Sequence, residues 1–105
     1  MNKKVRKVIE DLGWSIEEDD RYIELRQNSP LGEDYGFTID KSNTKQELND
    51  IIDYCYDFDE EEHAEMWIEN RDKNGVPSSI KALLQDAEDI ASMLIELAEE
   101  LTKLL

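Results

Sequence analysis

One cysteine, one histidine, two prolines and four glycines stand in a chain whose 27 acids face only 12 lysines and arginines. Each scarcity excludes something. A single cysteine leaves no internal disulfide framework and no Cys-based zinc site within one chain. A single histidine fails the zincin pattern, which needs two histidines four apart. It also fails the di-iron bundle, where paired Glu-x-x-His motifs are completed by glutamates from other helices; here Glu60-x-x-His63 stands alone. No apolar run approaches the roughly 18 residues of a membrane span. The basic opening MNKKVRK leads into VIEDLGW, which supplies no apolar segment of the signal-peptide kind. A cytoplasmic protein is expected. With a formal net charge of −15, direct binding to nucleic acid or anionic lipid is disfavoured, because both carry the same sign.

What is present is periodic. Hydrophobic residues make up 39% of the chain and recur at regular spacings, which predicts a folded acidic domain rather than a disordered acidic tail. Residues 1–105 fit one domain with one modest core. Val5, Val8, Ile9 and Leu12 predict an amphipathic helix over Asn2–Leu12, stopped by Gly13. Its cations Lys3, Lys4, Arg6 and Lys7 sit at the end where the helix dipole favours negative charge, and are expected to neutralise acidic neighbours. WSIEE, YIELRQ and YGFTI then read as three strands of an antiparallel meander, with Trp14, Ile16, Ile23, Leu25, Phe37 and Ile39 facing the helices. The intervening PLGEDYG lacks the lysine of a phosphate loop and is not a nucleotide site.

Three further helices follow. Thr44 and Glu47 have capping-box spacing, and Leu48, Ile51, Ile52 and Cys55 form one buried stripe, so Cys55 reads as a core residue. Asp59 and Glu62 repeat the capping-box spacing for a helix reaching about Arg71. KNGVPSS is a break with Ser78 and Ser79 as candidate caps. In the last helix Ile80, Ala87, Leu94 and Leu101 form one column seven apart, Leu83, Ile90, Leu97 and Leu104 a second, and Leu84, Ala91, Ala98 and Leu105 a third. The expected class is therefore α+β, in the order α-β-β-β-α-α-α, with a three-stranded antiparallel sheet packed on helices and a long C-terminal helix. At 1.5 Å per residue that helix reaches about 40 Å, against about 20 Å for a six-residue strand. Either its own domain covers it, or part of it forms a homodimer through Ile90, Met93, Leu94, Ile95, Leu97, Leu101 and Leu104.

The densest chemistry lies between Gln46 and Asn70, which holds ten acids and no lysine or arginine: Glu47, Asp50, Asp53, Asp57, Asp59, Glu60, Glu61, Glu62, Glu65 and Glu69. Acids three or four apart on a helix are neighbours, about 5–6 Å between Cβ atoms. Glu47, Asp50, Asp53 and Asp57 form one row; Glu61, Glu62, Glu65 and Glu69 form another. Tyr54, Tyr56, Phe58, Met66 and Trp67 lie among them as an aromatic anchor. A solvated face explains the rows, and capping explains Asp59 to Glu62. The functional alternative is a phosphate-mimicking surface that occupies the basic groove of a nucleic-acid-binding protein. No residue is singled out as catalytic or metal-ligating, and no cofactor is implied.

The segments FDEEEHAEMWIENR and GVPSSIKALLQDAEDIASMLIELAEEL, with the hairpin SPLGEDYGFTI before them, resemble small acidic, mostly uncharacterised proteins of bacteriophages and conjugative elements of Gram-positive bacteria. The resemblance covers roughly the second half of the chain and this hairpin. Small acidic proteins of such elements include anti-CRISPR and antirestriction inhibitors, many of which imitate DNA. The resemblance thus implies a non-enzymatic inhibitor of a bacterial defence nuclease, and it carries over no catalytic residue. Two rival readings stand beside it: a structural or regulatory homodimer acting through Ile80–Leu105, and a small metal-binding or carboxylate enzyme.

Overall fold

Local signals start the chain as expected. In the computed structural model, which describes residues 1–105, Asn2 caps helix α1 (Lys3–Asp11) by accepting the Val5 N–H at 2.9 Å. Gly13 ends it with φ +99°, a conformation that favours glycine, and a Cβ there would come within 2.7 Å of the Gln27 side-chain amide. Strands β1 (Ser15–Glu18), β2 (Tyr22–Asn28) and β3 (Asp34–Asp40) form an antiparallel meander in that order. Helices α2 (Thr44–Asp57), α3 (Glu60–Glu69) and α4 (Ile80–Leu104) complete an α+β fold.

Register assigns the two faces of the sheet. Ile16 opposes Leu25, Ile23 opposes Ile39 and Leu25 opposes Phe37, so one face is apolar at its centre, with Glu18 and Gln27 toward its ends. Ile23, Leu25 and Ile39 are buried there, with Ile16 and Phe37 half-buried against them. Trp14, just before β1, packs on Phe37 at 5.6 Å between ring centroids. The other face is charged: Arg26 pairs with Glu24 and Asp34. Glu18 is clamped between Arg6 of α1 and Lys41, at 2.8 and 2.9 Å. Thus part of the basic opening does neutralise an acid inside the fold.

One sequence expectation fails at the start of α2. Thr44 and Glu47 form no capping box: Asn43 is the N-cap and offers no side-chain hydrogen bond. A 3-10 turn, Lys41–Asn43, precedes the helix. Asp40 caps that turn through the Ser42 backbone N–H and hydroxyl, at 2.9 and 2.7 Å. Thr44 instead donates its hydroxyl to the Lys41 carbonyl. The chain enters the helix through a turn with its own cap, so the threonine is already inside when α-helix begins.

Helix α4 is the spine against which α1, α2 and α3 pack. Its Leu83, Ala87, Ile90, Leu94, Leu97, Ala98 and Leu101 are buried within the chain. This corrects the dimer expectation for four of its seven residues. Ile90, Leu94, Leu97 and Leu101 have no exposed surface to offer a second copy. Met93 and Leu104 are half-buried against the same core, and Ile95 is half-buried. The cause is length matching. Helices of 14 and 10 residues, joined by two residues, both pack on the 25-residue α4 and only together match it in length. Exposed apolar residues remain only toward its ends: Ile80, Leu84 and Leu105. No helix is long and apolar enough to cross a membrane.

Candidate functional site

The acidic block is laid out by the two helices whose apolar stripes face α4. On α2, Leu48, Ile51 and Cys55 are buried and Ile52 is half-buried, which turns Asp50, Asp53 and Asp57 to solvent and leaves Glu47 half-buried. Burial pushes the Cys55 thiol up to about 12, so it stays a neutral core group, as its place in the stripe predicts. Phe58 and Asp59 make the turn into α3. Phe58 points inward against the rings of Tyr35 and His63, while Asp59 caps α3 by accepting the Glu62 N–H at 3.0 Å. On α3, Ala64 is buried with His63, Trp67 and Ile68 half-buried beside it; Glu61, Glu62, Glu65 and Glu69 are exposed and Glu60 is half-buried.

None of these ten acids forms an ion pair. The seven ion pairs of the structure lie on α1, the sheet and its flanking turn, the end of α4, and the Glu33–His63 contact. Within the block the recorded partners are a glutamine for Asp50 and a backbone amide for Asp59. The dipoles are divided: Glu47 and Glu60 to Glu62 lie in first turns, where negative charge is favoured. Asp57 ends α2 and Glu69 ends α3, where partial negative charge accumulates, and neither last turn holds a basic residue.

The acids wrap around α3 instead of forming one flat row. Asp57, Asp59 and Glu62 rim a cleft of about 540 Å³ between α2 and α3, with Tyr54, Phe58 and Met66 in its walls. Glu60 and Glu61 turn to the other side, into a groove with Glu88, Ile80, Leu84 and the one cation there, Lys81, of α4. Tyr54 and Tyr56 on α2 and Met66 on α3 are each about half exposed, at 48%, 50% and 49%. Tyr54 keeps an anchoring contact, its ring edge-on to Phe37 at 5.4 Å between centroids, whereas Tyr56 and Met66 are surface groups amid unpaired carboxylates, a correction to the anchor role expected of them. The anchor itself is Phe58 with Trp67 and His63.

Beneath this surface lies a cluster that sequence reasoning missed. Glu33, in the β2–β3 loop, has one carboxylate oxygen 2.9 Å from His63 Nε2 and accepts the Trp67 indole N–H on the other at 3.0 Å. The Tyr35 hydroxyl lies 3.4 Å from the same histidine nitrogen. Burial, helped by the neighbouring Glu33 charge, drives the Tyr35 phenol well above its ordinary value. One helix along, the buried Asp86 of α4 accepts from Ser29 Oγ at 2.9 Å and from the Leu31 N–H at 3.0 Å. His63 therefore ties two elements together through Glu33 and makes no recorded contact with Glu60. The signal was present for Asp86, an acid set between Leu83, Ala87 and Ile90 on an inward helical face. For Glu33 no spacing rule links residues thirty apart.

No three of the His, Cys, Asp and Glu side chains converge as ligands of a metal would. Compared with protein-family models, curated proteins and solved structures, the chain matches none of them. Fold and surface together define an α+β meander backed by helices, bearing ten acids around α2 and α3 that form no ion pair within the chain.

Proposed function

We propose that the protein is a non-enzymatic, cytoplasmic inhibitor that presents its acidic face to the basic groove of a nucleic-acid-binding protein, in the manner of a nucleic-acid mimic. A bacterial defence nuclease is the partner implied by the mobile-element resemblance. One observation carries the reading: the ten acids of two consecutive helices and the turn between them have no ion-pair partner, and no lysine or arginine stands among them in the sequence. Such an arrangement costs stability through self-repulsion and through acids at the negative ends of helices. Carboxylates held this way can replace phosphates against lysine and arginine, with affinity that falls as salt screens the contact. Tyr54, Tyr56 and Met66 supply exposed ring and thioether surface among the charges, of the kind that anchors interfaces once water is excluded.

The test is capture from a nuclease-treated bacterial lysate on the native chain and on a Glu61→Gln, Glu62→Gln, Glu65→Gln, Glu69→Gln variant, at about 0.15 and about 1 M salt. A basic nucleic-acid-binding protein held by the native bait at low salt, and lost in either other condition, supports the reading. Identical proteins on both baits at both salts overturn it. With Ile90, Leu94, Leu97 and Leu101 buried, the rival homodimer through α4 would have to use Ile80, Leu84 and Leu105, which are exposed.

A further inference from the structure

Two segments that read in sequence only as breaks, SPLGED and KNGVPSS, fold over the same spot. Leu31 and Glu33 from the first and Val76 from the second close a cavity of about 180 Å³ over Trp67 of α3 and Leu83 and Asp86 of α4. This is below the roughly 300–1,000 Å³ of drug-sized sites, so its occupant is small. None of the ten acids of the exposed face lines it.

Asp86 is the unusual wall. It is only 6% exposed, and both its hydrogen bonds come from neutral donors, a hydroxyl and a backbone amide. It belongs to none of the ion pairs. Buried carboxylates are ordinarily paired with a cation, because burial strips the charge of its water. Here the hydrogen bonds are made and the counter-charge is missing. Glu33 also lines the cavity, with one recorded partner on each oxygen and lone-pair capacity left over. The remaining walls include Leu31, Val76, Leu83 and the Trp67 side chain. Two carboxylates exclude an anionic ligand, and the absence of a converging third ligand makes a metal ion a poor fit.

We propose that this cavity binds a compact organic cation: an alkylammonium head pairs with Asp86, Glu33 accepts a second hydrogen bond, and a short alkyl chain packs on Val76 and Leu83. The head can belong to a free amine or to a lysine side chain of a partner. The proposal is independent of the acidic-face reading, and either can fail without the other.

The test is a titration of the full chain with n-butylammonium chloride at constant ionic strength, following the Trp67 indole N–H and the Val76 and Leu83 methyl resonances. The expected result is saturable shifts at these groups, with binding at least tenfold weaker for neutral n-butanol. Asp86→Asn weakens binding at least tenfold. Because that variant can also loosen the β2–β3 loop, Val76→Trp, which fills the cavity and leaves Asp86 in place, must block binding as well. Equal binding of butanol and butylammonium, or unchanged binding in both variants, overturns the proposal. So do non-saturating shifts confined to Glu61, Glu62 and Glu65. A matching titration with Nα-acetyl-lysine amide separates the sources: comparable affinity assigns the site to a protein lysine, and binding of the free amine alone assigns it to a small molecule.

Discussion

His63 Nε2 lies 2.9 Å from Glu33 Oε2, joining α3 to the β2–β3 loop across thirty residues of chain, with both side chains largely buried at 11% and 18% exposure. By helical spacing alone His63 would have been assigned to Glu60. His63→Ala strips one partner from a largely buried carboxylate, a loss of about 1–3 kcal/mol. Glu60→Gln, on an acid with no recorded side-chain partner, changes stability by no more than about 0.5 kcal/mol. Urea unfolding of the two variants measures the difference, and equal midpoints would refute the role given to this contact.

The acid limb of stability has a nameable contributor. Hydrogen bonding from Lys41, then the charge of Arg6, holds the Glu18 carboxyl below its ordinary value. A folded-state value lower than the unfolded one contributes stability that is fully present above the unfolded value, about 4.3, and is lost as pH falls through the folded value. Glu18→Gln therefore flattens the fall in stability below about pH 4.3 and leaves the slope near neutrality unchanged. Unfolding midpoints across that range, native against variant, check the sign.

Cys55 is 1% exposed, with its thiol pushed up to about 12 by burial. The thiolate is the reactive form, so a thiol reagent at neutral pH reacts only with molecules that have opened. Labelling of the native protein should proceed at an opening rate and accelerate in denaturant. Labelling at the speed of a free cysteine would place Cys55 outside the core.

Leu94 is fully buried and Leu84 is half exposed, although both belong to seven-residue columns of the same helix. Leu94→Ala costs about 2–5 kcal/mol, while Leu84→Ala stays within about 0.5 kcal/mol. On α3, Glu69→Gln removes unpaired charge from the dipole's negative end, and Glu65→Gln removes the like charge four residues before it. That pair raises the thermal midpoint at low ionic strength, and raises it less at about 1 M salt. A lowered midpoint would mean that these acids serve the fold.

Element order and the inward residues of the sheet were legible because period-two and helical spacings report burial directly: Ile23, Leu25, Leu48 and Ile51 all lie where their patterns put them. Caps were legible where the capping residue borders the helix, at Asp59 and Ser79, and misread at Thr44, where a separately capped turn intervenes. The acids of the exposed face could be counted but not arranged. Whether Glu61 and Glu62 share a face depends on how α3 sits between α2 and α4, and that is set by packing. The Glu33–His63 and Asp86–Ser29 contacts join residues 30 and 57 positions apart, and local spacing contains no record of them.

The most direct measurement is displacement. A labelled DNA or RNA duplex is bound to the partner captured by the acidic face, and the native chain is titrated in while fluorescence anisotropy follows release. Mimicry predicts complete, competitive release, with an affinity that falls steeply with salt and is lost in the Glu61, Glu62, Glu65, Glu69 to glutamine variant. A ternary complex with the duplex still bound, or equal release by native chain and variant, would contradict it.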